Sequence, residues 1–198
     1  MKRTKEDAEL TKKTLLEIAF KELVKSGFEN TGLESISEKA GLTRGAVYWH
    51  FKNKDDLLDS IIEYKDLESL EVASDICDSD LEPFEKLKKL VSLNFPEIEN
   101  RTKEKNYVRM KLELYNYLNK KGDKRKVAES FIKMCKDLLD ECKKRNELKN
   151  GIDTEAAAHT ILCICAGSYI KFNSIPENLR SIKLSKKIAL EYLDLIHK

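Results

Sequence analysis

Apolar residues recur every three or four positions along most of the chain, which is the spacing of amphipathic α-helices. No segment of useful length alternates apolar and polar residues as a strand would, and no internal repeat is found. Caps, glycines and prolines divide the pattern, and it predicts an all-α chain of nine helices. The predicted helices span about 8–26, 31–40, 44–51, 53–78, 83–95, 103–118, 123–148, 156–172 and 184–196.

The stretch from Gly41 to Lys54 predicts the turn and second helix of a helix-turn-helix. Gly41 follows the second helix, where glycine readily adopts the left-handed backbone that closes a helix. Thr43 is placed to cap the third helix, and Arg44 follows at the start of that helix. Helix-turn-helix proteins use this position to contact bases in the major groove. The stretch therefore predicts a DNA-reading helix.

The side chains of this helix suit the two kinds of DNA contact. Arg44 can donate to both acceptors of a guanine edge, and the small residues Gly45 and Ala46 let the backbone approach the bases. Val47 and Phe51, four residues apart, form the inward face. Donors for phosphate oxygens, which position the protein without reading sequence, are Tyr48, His50, Lys52 and Lys54.

Two further caps are predicted next to this motif. Thr31 and Glu34 have the Thr-x-x-Glu spacing of a capping box at the start of the second helix. Asn53 is placed to cap the fourth helix, whose positive N-terminal end suits Asp55 and Asp56. For Thr31, contact with DNA stays open as an alternative to capping.

Residues 43–54 resemble the signature of TetR-family repressors, most closely the AcrR-like branch that guards multidrug efflux genes. Matching residues upstream are Ile18, Ala19, Leu23, Gly27, Phe28, Thr31 and Leu33–Ile36, so the resemblance covers about the first third of the chain. It implies a nine-helix architecture with a three-helix DNA-binding domain at 8–68 and a ligand-binding and dimerisation domain at 69–198. It also adds Thr31, Ser35 and Trp49 to the expected DNA-binding residues.

The charge and its distribution fit this expectation. The net charge of +2 is too small for a protein that coats nucleic acid. Between residues 35 and 54, however, four lysines and arginines face a single glutamate before the fourth helix begins. A local basic patch on a nearly neutral protein favours sequence-specific binding of duplex DNA.

The last two predicted helices carry more apolar surface than the domain needs for its own core. Residues 160–167 are apolar nearly all round, so they must be covered on every side. A helix-turn-helix protein commonly reads two half-sites as a two-fold dimer. We therefore expect a homodimer through the last two helices and a palindromic operator; an internal core helix is the alternative.

The resemblance also implies a pocket for a small-molecule inducer, whose binding would move the fourth helix and release the operator. Aromatic and polarizable side chains able to line an adaptable apolar pocket are Tyr107, Met110, Phe131, Met134, Cys135 and Tyr169. A buried cationic ligand would require an acid as its partner, and Asp66 and Glu113 could supply that acid. The alternative is that both acids are solvated or paired with lysines. For each of these residues ordinary packing is the alternative.

Other functions find less support in the sequence. The three histidines lack metal-ligand spacing and no glycine-rich phosphate loop occurs, so we expect neither an enzyme nor a metal or other cofactor. The five cysteines have no CxxC pair, and no apolar run approaches a membrane span. We expect a cytoplasmic repressor; a redox-sensing regulator using Cys163 and Cys165, and a structural DNA-binding protein without a ligand, are the alternatives.

Overall fold

The computed structural model describes residues 5–122, 126–170 and 181–198. Within these ranges the chain is all-α, as predicted, with one isolated antiparallel bridge between Leu148 and His197. Its nine described helices are α1 (Lys5–Ser26), α2 (Leu33–Ala40), α3 (Arg44–His50), α4 (Lys54–Asp78), α5 (Pro83–Ser92), α6 (Arg101–Lys121), α7 (Lys126–Lys144), α8 (Thr154–Ile170) and α9 (Ile182–Ile196).

The helix boundaries differ from the prediction where a cap was misread. Asn100 accepts a hydrogen bond from the Lys103 amide, so α6 begins at Arg101 instead of 103. At the other end of α7, Asn146 adopts a φ of 61° and the helix stops at Lys144 instead of 148. The predicted start of the seventh helix at 123 and the predicted end of the eighth at 172 lie outside the described residues.

The chain divides into two compact units. Unit 1 comprises Met1–Glu68 and Lys105–Asn116, and unit 2 comprises Ser69–Glu104 and Tyr117–Lys198. The division after Glu68 coincides with the domain boundary expected from the sequence, but the middle of α6 joins the first unit. Two helices, α4 and α6, therefore contribute residues to both units.

Unit 1 has a core built from α1, α2, α3, the first part of α4 and the middle of α6. The short helices α2 and α3 each bury only one apolar face, and α1 and α4 supply the apolar faces that complete this core. The buried apolar residues are Leu15, Leu16, Ala19, Leu23, Leu33, Ile36, Val47, Phe51, Leu57, Leu58, Ile61, Ile62, Val108 and Met110. The core thus supports α3 from its inner side.

Unit 2 is a helical layer in which α7 packs against both α5 and α8, and α9 packs against α8 and α5. Pro83 occupies the first turn of α5, and Asp153 accepts from the Ala156 amide to cap α8, both as expected. The buried side chains include Phe84, Leu87, Leu90, Val91, Cys135, Leu138, Leu139, Cys142, Ala158, Ile161, Cys165, Ala189 and Leu193. Among the described residues, no helix is both long and apolar enough to cross a membrane.

Candidate nucleic-acid interface

The turn between α2 and α3 has the geometry of a helix-turn-helix. Gly41 adopts a φ of 64°, and its amide donates to carbonyls at the end of α2. Thr43 is extended, and its hydroxyl accepts from the Ala46 amide at 3.2 Å. Both predicted caps are confirmed. Because each end of the turn is fixed by a local hydrogen bond, α3 starts at a defined residue, Arg44.

One face of α3 is buried and the other is open. Val47 and Phe51 are fully buried, which confirms the predicted inward face. Tyr48 is 50% exposed and Trp49 is 72% exposed, although aromatic side chains of this size normally bury most of their surface. A Cβ built on Gly45 would meet no atom within 4 Å, so the surface beside Arg44 is open to a ligand.

Arg44 projects from the open face and is paired within unit 1. Its Nη1 lies 2.9 Å from Glu34 Oε1 on α2, and both side chains are more than half exposed. An exposed pair of this kind contributes little to stability, about 0–1 kcal/mol. Because the ion pair is weak, the guanidinium can exchange its carboxylate partner for another acceptor.

The segment after α3 offers two lysines in different settings. Lys52 is exposed, while its backbone amide donates to Asp56 Oδ2 at 2.8 Å. Lys54 is half-buried, and its Nζ donates to the Glu29 carbonyl at 3.0 Å. The predicted Asn53 cap is confirmed, because Asn53 Oδ1 accepts from the Asp56 amide. Of these two lysines, Lys52 is the more exposed.

The structure corrects the prediction for Thr31. The N-cap of α2 is Gly32, whose position has no side-chain cap, so the Thr31–Glu34 capping box is wrong. The Thr31 hydroxyl is fully buried and donates to the Gly27 carbonyl at 2.8 Å, which also removes it from the surface that DNA could touch. Ser35, a second residue expected from the family resemblance, lies half-buried on α2.

An ion pair between Lys39 of α2 and the largely buried Glu22 of α1 joins the two helices. The sequence analysis did not predict it. Lys39 Nζ lies 2.7 Å from Glu22 Oε2, and the Ser26 hydroxyl donates to the other oxygen at 2.6 Å. These two hydrogen bonds, that of Lys39 first, hold the pKa of the Glu22 carboxyl below its usual value. An acidic residue on the inner face of an amphipathic helix is the signal that could have identified it.

The predicted ligand-pocket residues divide between the two units. Asp66, Tyr107, Met110 and Glu113 belong to unit 1, where Met110 is buried in the core. Phe131, Met134, Cys135 and Tyr169 belong to unit 2, where Cys135 is buried and the Tyr169 hydroxyl donates to the Asn94 carbonyl. Glu113 accepts a hydrogen bond from the Phe28 amide at 3.0 Å. Its carboxylate is therefore already engaged by the protein.

Unit 2 also contains a cavity of about 840 Å³. It lies between the α5–α6 connection and α9, and its rim carries both acids and bases, such as the pair formed by Glu97 and Lys186. None of the residues predicted to hold a ligand lines it. The inducer site therefore stays a prediction.

Metal and thiol chemistry find no assembled site in the described residues. No group of three or more potential metal ligands occurs there. Burial raises the pKa of the Cys142 and Cys165 thiols to about 12, and it raises the pKa of Cys135 as well. Cys163, in contrast, is exposed. The two thiols considered for redox sensing thus lie in opposite environments.

Comparison with known proteins agrees with this geometry. Residues 15–61 match the family described as "Bacterial regulatory proteins, tetR family". ArpR of Pseudomonas putida, a probable HTH-type transcriptional regulator, is 36% identical over 100 residues, which are 50% of this chain and 47% of ArpR. AcrR of Shigella flexneri, an HTH-type transcriptional regulator, is 42% identical over 62 residues, or 31% of this chain and 29% of AcrR. The matches thus cover less than half of either relative's length.

Solved structures extend the likeness to the fold of nearly the whole chain. The complex of SmeT with triclosan superposes with a TM-score of 0.71 at 24% identity and covers 96% of this chain and 92% of that chain. SmeT is described as the repressor of the Stenotrophomonas maltophilia multidrug efflux pump SmeDEF. These relatives are described as regulators of transcription or repressors. In residues 15–61, which contain the helix-turn-helix, this chain is similar to the TetR family of bacterial regulatory proteins.

Proposed function

We propose that the protein is a cytoplasmic transcriptional repressor that binds a palindromic operator as a homodimer and is released by a small hydrophobic or amphipathic ligand. The observation that carries the proposal is the open face of α3, capped at Thr43 and supported by a buried inner face. Arg44, Tyr48 and Trp49 lie on that face, each with half or more of its surface exposed. A helix of this kind fits the major groove.

The contacts that we propose for DNA fall into two groups. Arg44 reads a base edge once it leaves Glu34, and the small residues Gly45 and Ala46 allow close approach. Contacts to phosphate, which set affinity and register, are assigned to Ser35, Thr43, Tyr48, Trp49, His50, Lys52 and Lys54. Thr31 is left out because its hydroxyl is buried.

We propose the outer surface of α8 and α9 as the dimer interface. Leu184, Ile188 and Leu195 recur on one side of α9 and are exposed by 47%, 41% and 68%. On α8 the exposed stripe holds the small or apolar residues Ala156, Cys163, Ala166 and Ile170, together with His159, which is paired with Glu155. Small residues let helices from a second copy approach closely, and several exposed large apolar residues grouped on packed helices mark an interaction surface. The Lys187–Glu191 ion pair lies on the same side of α9. A second copy is the occupant that a two-fold operator requires.

Release by a ligand and control of an efflux gene rest on the relatives. SmeT is an efflux-pump repressor and was solved with triclosan, a small hydrophobic compound. For this chain such a ligand would have to bind two states of the dimer with different affinity, because only a differential affinity shifts an equilibrium.

The test is a binding assay on the DNA upstream of the protein's own gene, at two salt concentrations. The panel contains triclosan, lipophilic cations, bile acids and antibiotics. Tight, salt-dependent binding that one compound class relieves supports both DNA binding and release by a ligand. Tight binding that no compound relieves contradicts ligand release, and binding no stronger than to random DNA overturns the proposed function.

A further inference from the structure

Two charged side chains of α6, one turn apart, hold the end of α1 and the connection to α2. Arg109 Nη2 donates to the carbonyls of Val24 and Lys25, at 3.2 and 3.0 Å. Glu113 Oε2 accepts from the Phe28 amide at 3.0 Å. The last carbonyls of a helix have no partner within it, so Arg109 supplies donors that α1 lacks. We refer to Arg109 and Glu113 as the α6 clamp.

The backbone at this point is shaped for the clamp. Gly27 has a φ of 84°, a conformation that glycine adopts without strain. A Cβ on Gly27 would lie 3.1 and 3.2 Å from the two carboxylate oxygens of Glu113. Glycine thus provides both the turn and the space through which the carboxylate reaches the Phe28 amide.

The clamp is stronger than an ordinary surface contact. Its hydrogen bonds involve an ionised donor or acceptor, which makes them about twice as strong as neutral ones. Arg109 Nε lies 3.8 Å from Glu113 Oε1, which is an ion-pair distance but too long for a hydrogen bond. The clamp joins segments about 85 residues apart in sequence.

The clamped connection leads directly to the reading helix. Within it, the Thr31 hydroxyl donates to the Gly27 carbonyl, and Lys54 Nζ donates to the Glu29 carbonyl. The connection is therefore bonded to α6 on one side and to the first residue of α4 on the other, with α2 and α3 between them in sequence. Residues 105–116 of α6 belong to unit 1, while both ends of the helix belong to unit 2.

We infer that Arg109 and Glu113 are positioning residues for DNA recognition. They fix the α1–α2 connection, and through it α2 and α3, to α6, and so set the spacing of half-sites that the two reading helices of a dimer accept. The inference rests on the proposed function. It gives Glu113 a role in place of the ligand contact expected from the sequence.

The test measures affinity for operators that carry identical half-sites at natural spacing and with one base pair inserted or removed between them. We expect Arg109→Ala and Glu113→Ala to reduce the preference for natural spacing about three- to tenfold, since each removes a charge-assisted bond. Preference among bases within a half-site stays unchanged. Lys105→Ala, which removes an exposed charge one turn earlier on α6, retains the wild-type ratio. Glu113→Gln, which keeps an acceptor oxygen but loses the charge, reduces the preference less than Glu113→Ala does.

A pair that only stabilised the fold would lower the melting temperature and leave the spacing ratio unchanged, and that result would overturn the inference. A second measurement does not depend on DNA. Hydrogen exchange of the Phe28 amide is expected to be slow in the wild type and in Glu113→Gln but fast in Glu113→Ala. Fast exchange in the wild type contradicts the clamp, whereas a wild type that binds no specific DNA contradicts the proposed function.

Discussion

The two exposed surfaces of this protein differ in what their side chains can do. The α3 surface carries Arg44, Tyr48 and Trp49, which combine large contact area with hydrogen-bond donors. The α8–α9 surface carries mainly leucine, isoleucine, alanine and cysteine, and the donors among them, His159 and Lys187, are paired with acids of their own helices. Exposed apolar area therefore does not by itself identify the partner of a surface. Hydrogen-bond donors beside the apolar area indicate DNA, because phosphates and base edges accept hydrogen bonds.

The largest effect is expected from a charge on the α8–α9 surface. Leu184→Glu places a carboxylate where we expect a second copy, and an unpaired buried charge is strongly unfavourable. We expect the protein to become monomeric in analytical ultracentrifugation and to lose operator affinity by about 100-fold or more. Lys187→Gln, which makes the same change in net charge at an exposed position of α9, is the control. A variant that stays dimeric would remove this surface from the account.

A smaller effect tests how Arg44 is held on the other surface. Glu34→Gln removes the carboxylate beside Arg44 and also a negative charge from the DNA-facing side. Because an exposed pair contributes about 0–1 kcal/mol, we expect operator affinity to rise about two- to fivefold. Glu38→Gln, one turn later on α2 and also exposed, removes the same charge away from that pair. Equal gains in both variants would mean that net charge alone acts.

The smallest effect is expected in the rate at which a thiol reagent labels Cys163 on the α8–α9 surface. Because burial raises the pKa of Cys142 and Cys165 to about 12, both stay protonated and unreactive at pH 8. Cys163 is exposed in one chain and lies on the proposed interface. We expect an aromatic disulfide reagent to label Cys163 slowly in the wild-type dimer and rapidly in Leu184→Glu. Rapid labelling of the wild-type dimer would show that the α8 stripe is not covered.

The parts of the fold that follow local rules could be predicted from the sequence. Gly41, Thr43 and Asn53 each act within four residues of their own position, so their spacing was enough to place α3 and the start of α4. The apolar spacing of Val47 and Phe51 likewise identified the buried face of α3. Once the buried face of α3 is known, the opposite face, which carries Arg44, is predicted to be exposed.

The parts that depend on distant partners could not be predicted. Thr31 has the spacing of a capping box, but its hydroxyl donates to a buried carbonyl four residues earlier, and Gly32 takes the cap position. Glu113 accepts a hydrogen bond from a backbone amide 85 residues away, and the periodicity of the sequence does not predict such a contact. The sequence analysis therefore considered a ligand as the partner of the Glu113 charge. A sequence shows that a buried charge needs a partner, but it does not show which group that partner is.

The most direct test of the account compares wild type, Arg44→Ala and Lys52→Ala on the operator, on every single-base-pair variant of one half-site, and on random DNA. We predict that Arg44→Ala loses about 1–3 kcal/mol on the operator, becomes indifferent to one base pair and changes little on random DNA. Lys52→Ala should weaken binding to all sequences alike and reduce the salt slope by about one. An Arg44→Ala variant that weakens equally on operator and random DNA would contradict the assignment of α3 as the helix that reads the sequence.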